Sequence, residues 1–195
     1  AVFREPGLRR IEIAWGGYYV AEWTHFVALS IYAFQHGGTA AVGVFGFVRM
    51  GAASVALPFG SVLADRYPRH RVLASSYAVR AAALGATAAA VSGGADRTLV
   101  FAFAALAAVG AAPVRPTTMS LVPLLARTPE ELVAANVSSS SLEGLGTLMG
   151  PLAGGLLTAG PGPASAIGVA AAINVGCAAA AFGIKRSGEV TVRAS

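Results

Sequence analysis

Six long apolar stretches limit what this chain can fold into. They lie at about residues 11–34, 39–64, 72–92, 98–124, 134–159 and 164–184, and each is close to the ~20 residues that an α-helix needs to cross a bilayer. Short segments rich in turn formers separate them, at 36–38, 65–68, 92–96, 127–131 and 160–163. The pattern predicts an all-α, polytopic membrane bundle of six transmembrane helices.

The composition supports lipid as the solvent of this fold. Hydrophobic residues make up 55% of the 195 residues and charged residues only 12%, about half the usual share of a soluble domain. The net charge of +5 does not indicate nucleic-acid binding, because the basic residues form short clusters between apolar runs. The single cysteine, Cys177, excludes an internal disulfide and a cysteine-based metal cluster. We therefore expect no metal, no cofactor and no nucleic-acid partner.

The distribution of lysine and arginine predicts the orientation of the spans. Arg97 alone falls on one side of the membrane, and ten basic residues fall on the other. Cytoplasmic segments carry the excess of these residues, so both ends of the chain are expected to face the cytoplasm. The ten are Arg4, Arg9, Arg10, Arg66, Arg69, Arg71, Arg127, Lys185, Arg186 and Arg193.

An internal repeat is indicated by two similar segments. The second stretch ends ProPheGlySerValLeuAla at 58–64, and the fifth contains ProLeuAlaGlyGlyLeuLeu at 151–157. These two spans would cross the membrane in opposite directions, as an inverted three-plus-three repeat requires. The expected architecture is therefore a 3+3 inverted repeat of six helices.

The segment that follows the second stretch holds a compact polar motif. It contains Gly60, Asp65, Arg66, Arg69 and Arg71. A glycine near a helix end lets another helix approach closely, and an acid followed by three arginines can form an ion-pair cluster that locks neighbouring helices. The alternative is a basic cytoplasmic turn that only sets topology.

The fifth stretch carries a glycine motif. Gly146, Gly150 and Gly154 fall on one helix face and leave a smooth groove, while Pro151 can kink the helix and Gly155 follows directly. We expect the glycine faces of the second and fifth spans to pack against helices outside this chain. Ordinary small-residue packing is the alternative.

These two motifs resemble a known family. The first is similar to the loop between helices 2 and 3 of the major facilitator superfamily. The second matches the Gly-x-x-x-Gly-Pro-x-x-Gly-Gly motif that the family's drug:proton antiporters carry in helix 5. Leu132-Val-Ala-Ala-Asn136 also resembles the drug-efflux branch with bacterial homologues. The chain departs from the pattern at Pro68 and His70, and its fourth stretch lacks the Arg-plus-Gly motif of many antiporters.

The resemblance implies a secondary active transporter. It implies efflux of a small, amphiphilic solute by proton antiport with alternating access, in the bacterial inner membrane. Residues 1–195 would be the N-terminal six-helix half, with lipid, solute and a second six-helix bundle as partners. A non-transporting membrane anchor or regulatory module is the alternative. An enzyme has little support, because no His-Glu-x-x-His, catalytic triad or phosphate-binding loop is present in the sequence.

Ionisable residues inside the apolar stretches are candidates for transport or coupling, since such groups are costly there. Glu22 and Arg49 lie at similar depth and could pair, and an unpaired Glu22 would bind a proton because burial disfavours its charged form. Arg115 and Glu143 could also pair, with Arg80 competing for Glu143. Because helices 1 and 4 of the family line the central cavity, the resemblance places Glu22, His25 and Arg115 there. A structural ion pair, or a packing role for His25, is the alternative.

Overall fold

The computed structural model describes residues 6–126 and 128–184, which are helical and contain no strand. This confirms the all-α prediction. Arg4, Arg127, Lys185, Arg186 and Arg193, which contributed to the predicted orientation, lie outside the described residues. The helices are α1 (Pro6–Arg66), α2 (Arg69–Ser92), α3 (Arg97–Ala111), α4 (Val114–Leu125), α5 (Pro129–Ala159) and α6 (Pro163–Phe182).

Four of the described segments are long and apolar enough to cross a membrane. They are α1, α2, the segment Arg97–Leu125 that joins α3 and α4, and α6. The remaining long helix, α5, has 31 residues but is not among the segments that are apolar enough to cross. It contains the run Ser138–Ser141 and Glu143. Several membrane-length helices are therefore present, as the apolar stretches predicted.

Helix α1 consists of two antiparallel halves, residues 6–36 and 39–66. Gly37 (φ −175°, ψ 17°) and Gly38 (φ 63°, ψ −157°) depart from helical geometry between them, and a positive φ such as that of Gly38 favours glycine. The chain reverses there, so that Phe45 packs against Phe26 with ring centroids 6.1 Å apart. The break predicted at 36–38 is confirmed.

Other helix ends also fall where turn formers predicted them. Helix α1 ends at Arg66 and α2 begins at Arg69, while α5 ends at Ala159 and α6 begins at Pro163. Helix α5 begins at Pro129, and the Thr128 side chain caps it by accepting a hydrogen bond from the Glu131 backbone N–H at 3.2 Å. Proline suits the first turn of a helix because that turn has no carbonyl partner for its missing N–H.

The fourth apolar stretch, predicted as one span over 98–124, is divided into two helices. Helix α3 ends at Ala111 and α4 begins at Val114, because Pro113 has no backbone N–H to continue the ladder. Gly60 of the loop motif packs against this break: a Cβ on it would lie 3.1 Å from both the Ala112 carbonyl carbon and the Pro113 nitrogen. The glycine thus permits a direct contact between two backbones.

Two apolar clusters fill the interior, one around the reversal of α1 and one near the start of α1. One includes Leu29, Phe45, Leu84 and Phe101, and the other includes Trp15, Leu73, Tyr77 and Val114. Helix α5 packs chiefly against α1, and α2 packs chiefly against α6. Glu22 lies on α1 close to the boundary between the two clusters, next to Ala21 of the first.

Candidate functional site

The carboxylate of Glu22, in the interior, accepts hydrogen bonds from two arginines. The Oε1 atom of Glu22 accepts a hydrogen bond from Arg49, and its Oε2 atom accepts one from Arg80 at 2.5 Å. The Glu22 side chain is 15% exposed, while that of Arg80 is 1% exposed. The predicted contact between Glu22 and Arg49 is present. The expectation that Arg80 competes for Glu143 is wrong, because packing of α2 turns Arg80 toward α1.

Every described contact of Arg80 stabilises its buried charge. Its Nε donates to Asn174 Oδ1 at 3.2 Å, and its Nη1 donates to the Ala107 carbonyl at 3.1 Å. Its guanidinium carbon also lies 4.9 Å from the centre of the Tyr18 ring, a distance at which a cation is attracted to an aromatic face. The guanidinium thereby joins α2 to α1, α3 and α6. Sequence reasoning missed Asn174, whose signal was a lone amide in the apolar run of α6.

His25 borders the carboxylate but is held by the backbone. Its Nδ1 lies 4.0 Å from Glu22 Oε2 and 2.9 Å from the Ala21 carbonyl. The side chain is 3% exposed. With a neutral His25, the group formed with Glu22, Arg49 and Arg80 has one negative and two positive charges.

A second ion pair lies nearer solvent. Arg115 Nη1 is 3.3 Å from Glu143 Oε1 and donates to the Tyr19 hydroxyl at 2.9 Å. The Arg115 side chain is 64% exposed and that of Glu143 is 34% exposed. This pairing, predicted from the equal depth of the two residues, is present in the structure.

A cavity of about 200 Å³ brings three candidate residues together. Glu22 lies on the first half of α1, Arg49 on the second half, and Arg115 on α4. Their side chains line the same space as Met50, Leu57 and Ala108, so the wall is apolar with charged groups on it. Glu143 reaches this site only through Arg115, and His25 is not part of the wall.

The loop motif is more open than the sequence suggested. Asp65, Arg66 and Arg71 are exposed and Arg69 is half-buried. Within residues 6–126 and 128–184, no ion pair within 4.0 Å joins Asp65 to these arginines, so the expected ion-pair cluster does not form. Asp65 and Arg69 instead line a shallow cavity of about 350 Å³ beside the end of α4.

The glycine face of α5 packs inside the bundle, against the first half of α1. A Cβ on Gly146 would lie 2.5 Å from the Tyr19 Cβ, and one on Gly150 would lie 2.5 Å from the Trp23 Cβ. On Gly154 it would lie 2.7 Å from the Thr24 carbonyl oxygen. The expectation that these glycines, and Gly60, face helices outside this chain is therefore wrong.

The remaining residues of the helix-5 motif behave differently. Gly155 has nothing within 4 Å of its Cβ position. The Gly150 carbonyl accepts a hydrogen bond from Thr24 Oγ1 at 3.1 Å, and α5 continues through Pro151 to Ala159. The motif thus has one face built for contact with α1 and one that is open.

Glu12 is a buried acid that was not identified from the sequence. Glu12 is 0% exposed, and its Oε1 accepts a hydrogen bond from the Ser139 hydroxyl at 2.7 Å. Its Oε2 is buried without a hydrogen-bond partner. The only available signal was an ionisable residue at the edge of the first apolar stretch.

A chain whose described residues form helices, several of them long enough to cross a membrane, with buried ion pairs between them, is a multi-pass membrane protein. The sequence profile of the Major Facilitator Superfamily matches residues 13–194, whereas comparison with curated proteins gave no match. The chain therefore belongs to the major facilitator superfamily. Members of this family are membrane transporters and not enzymes, so contacts with lipid and with a small solute follow.

Proposed function

We propose that residues 1–195 are the N-terminal six-helix half of a secondary active transporter that expels a small, amphiphilic solute by proton antiport. The observation that carries this proposal is the cavity where Glu22, Arg49 and Arg115 meet. Met50 and Leu57 give it an apolar wall for the body of the solute, and the charged groups orient the polar end. Pockets of this kind, mostly apolar with a few placed polar groups, are typical of small-molecule sites.

The proposed bundle has six crossings arranged as a 3+3 inverted repeat. As one straight helix, the 61 residues of α1 would extend about 90 Å at 1.5 Å per residue, about three times the hydrocarbon thickness. Reversal at Gly37 and Gly38 divides α1 into two spans. In support of the repeat, Gly60 and Gly154 occupy the two similar segments, and each makes a tight backbone contact with a neighbouring helix.

The proposed partner is a second six-helix bundle. The second half of α1 and helix α5 expose large apolar side chains, among them Phe47 at 80%, Phe59 at 71% and Leu156 at 66%. Lipid and a second bundle together would cover such faces. Asp65, exposed in the loop motif, is proposed to contact that bundle, with both termini cytoplasmic in a bacterial inner membrane.

The supporting groups have positioning roles in this proposal. Glu143 holds Arg115 at the cavity through the contact at 3.3 Å. His25 lies behind Glu22 and limits its movement. The loop residues Arg66, Arg69 and Arg71 set topology and contact the second bundle, because nothing in the described residues pairs them with Asp65.

The test is solute flux in proteoliposomes that contain the whole gene product. Arg115→Gln should lower efflux of amphiphilic dyes driven by an imposed pH gradient, because the variant removes a cavity charge. Arg9→Gln changes an exposed arginine outside the cavity and should leave flux unchanged. Equal flux in both variants would exclude this cavity as the solute site. Absence of any flux in the wild type would favour the anchor or regulatory module.

A further inference from the structure

We propose that Glu12 and Ser139 form a proton-binding site between α1 and α5, and that Glu12 binds the proton that is exchanged for solute. Nothing in the loop motif, the glycine motif or the charged cavity includes this pair. The coupling part rests on the proposed function, whereas proton binding by Glu12 can be measured without transport.

The first argument is the state of the Glu12 carboxyl group. It is fully buried, and one oxygen accepts a hydrogen bond from Ser139 at 2.7 Å. The other oxygen has no hydrogen-bond partner among the described residues, and the hydroxyl of Ser138 also lies close to the carboxyl group. Trp15, one turn further along α1, also has its indole N–H buried without a partner, so it does not donate to Glu12. An ionised carboxylate whose neighbours are neutral serine hydroxyls is poorly compensated in an apolar site, and the protonated form is favoured there.

The second argument is the absence of a nearby cation among the described residues. Arg115 of α4 pairs with Glu143 of α5, and Arg80 of α2 pairs with Glu22. Arg10 donates to the Gly183 carbonyl beyond α6, and Arg9 is exposed. Cys177 of α6 contacts the Ala14 carbonyl at 3.4 Å. No ion pair of Glu12 exists in the part of the chain that the structure describes.

The third argument is the contrast with Glu22. That carboxylate accepts hydrogen bonds from two arginines, and such partners favour its charged form. Binding a proton at Glu22 would leave Arg49 and Arg80 without a counter-charge. Among the described residues Glu12 has the opposite surroundings, so its protonation removes a charge that has no cationic partner there. Of these two acids in α1, Glu12 is the better proton carrier.

The position of the site connects the proton to helix packing. The buried residues of α5 are Ala135, Ser139, Gly146, Gly150 and Gly154, which share one face of the helix. That face packs on the first half of α1 within van der Waals distance. When Glu12 loses its proton, a charge is left inside this close contact, and water or a cation can reach it only if α1 and α5 separate locally. Protonation state and helix contact are thus linked.

The direct test is infrared difference spectroscopy of the whole gene product in detergent between neutral and alkaline buffer. Exposed carboxyl groups are already ionised at neutral pH, so the wild type should show only the C=O band of a buried acid, which disappears as the pH rises, and Glu12→Gln should lack it. Glu143→Gln, which changes a partly exposed acid, is the matched control and should retain the band. A titrating band that persists in Glu12→Gln would overturn the proposal.

The second measurement is flux with and without an imposed pH gradient. Glu12→Gln should lose gradient-driven efflux but keep solute exchange, because glutamine resembles the protonated acid and retains an acceptor for Ser139. Normal gradient-driven efflux in this variant would refute coupling by Glu12. If the wild type moves no solute at all, the proposed function fails, and the infrared result still decides whether Glu12 binds a proton.

A further variant covers the case in which Glu12→Gln does not fold. Ser139→Ala retains the acid and removes its hydrogen bond, so the midpoint at which the band disappears should shift from that of the wild type. An unchanged midpoint would show that the two side chains do not form the proposed site.

Discussion

Two arginines share the carboxylate of Glu22. This carboxylate is therefore the negative charge that compensates the positive charges of Arg49 and Arg80. Arg80 is 1% exposed and Arg49 is 22% exposed. Removing one arginine leaves a balanced pair, whereas removing the acid leaves two positive charges side by side. The two kinds of substitution should therefore differ in their effect on stability.

We predict that Glu22→Gln destabilises the folded chain more than Arg49→Gln. Loss of the acid leaves the Arg80 charge buried without a carboxylate, and breaking a buried pair in this way costs about 3–5 kcal/mol. In Arg49→Gln the pair of Glu22 and Arg80 remains, and the loss should be about 1 kcal/mol, since Arg49 is partly screened by solvent. Unfolding in detergent, followed by tryptophan fluorescence, measures both. A larger loss in Arg49→Gln would contradict the shared-carboxylate arrangement.

At the scale of single residues, the sequence predicted how deep a side chain lies in the membrane better than it predicted which helix the side chain faces. Counting residues along a helix gives the height of a side chain in the membrane, and that was enough to pair Glu22 with Arg49 and Arg115 with Glu143. The direction of Arg80 depends on how α2 packs against α6, which no single-helix pattern contains. Glu12 was missed for the same reason: its burial depends on Ser139 of a distant helix.

Among the elements, α5 packs its glycine face tightly against α1. Gly150 lies directly over Val20 and Trp23, with the Val20 carbonyl oxygen 2.9 Å from its Cβ position. Gly155, in the same motif, has open space at its Cβ position. The pair offers a test in which the same substitution is made on two faces of one helix.

We predict that Gly150→Ala destabilises the bundle by about 1–3 kcal/mol, the usual cost of adding atoms to a well-packed contact. Gly155→Ala should leave stability unchanged or raise it slightly, because alanine is the better helix former. Thermal unfolding of the two variants in the same detergent provides the comparison. If Gly155→Ala proved the more harmful, the open face of α5 rather than its α1 face would be the essential one.

Helix boundaries were predictable wherever turn formers interrupt apolar sequence. The breaks at 36–38, 65–68, 92–96 and 160–163 are examples, because glycine, proline and charged residues there disfavour continued apolar helix. The break at Ala112 and Pro113 was not predicted. Proline inside an apolar stretch also occurs in continuous membrane helices, so the presence of Pro113 alone did not predict a break.

For the whole molecule, the six proposed crossings would place successive connections on alternate sides of the membrane. We predict that a cysteine at Tyr67 is labelled only from the cytoplasm, and cysteines at Ser92 and Ala159 only from outside. Each should be introduced with Cys177→Ala, which removes the native thiol, and tested with a membrane-impermeant maleimide in intact cells and inverted vesicles. Ala159 is the most informative position, because α5 is not among the four segments that are long and apolar enough to cross a membrane. Labelling of Ala159→Cys from the cytoplasm would exclude a crossing by α5.

At this scale the class of fold followed from the apolar stretches alone. Their number and length exclude a soluble domain, and the glycine and loop motifs point to the family that the sequence profile then matched. Which helices contact one another did not follow. The face of α5 that carries Gly146 and Gly150 was expected to lie toward another bundle, yet it packs on α1, because a helix face of small residues does not specify which neighbour it accepts.

The reversal at Gly37 and Gly38 also bears on how the protein is made. Because Glu22 and Arg49 lie on the two halves of one hairpin, the acid and the base can enter the lipid together as a neutral pair, before α2 has been synthesised. Arg80 then arrives on a later segment and joins a carboxylate that is already in place. Because Glu22 and Arg49 precede Arg80 in the chain, the pair can enter the bilayer first and Arg80 afterwards. Each of these two steps adds at most one uncompensated charge.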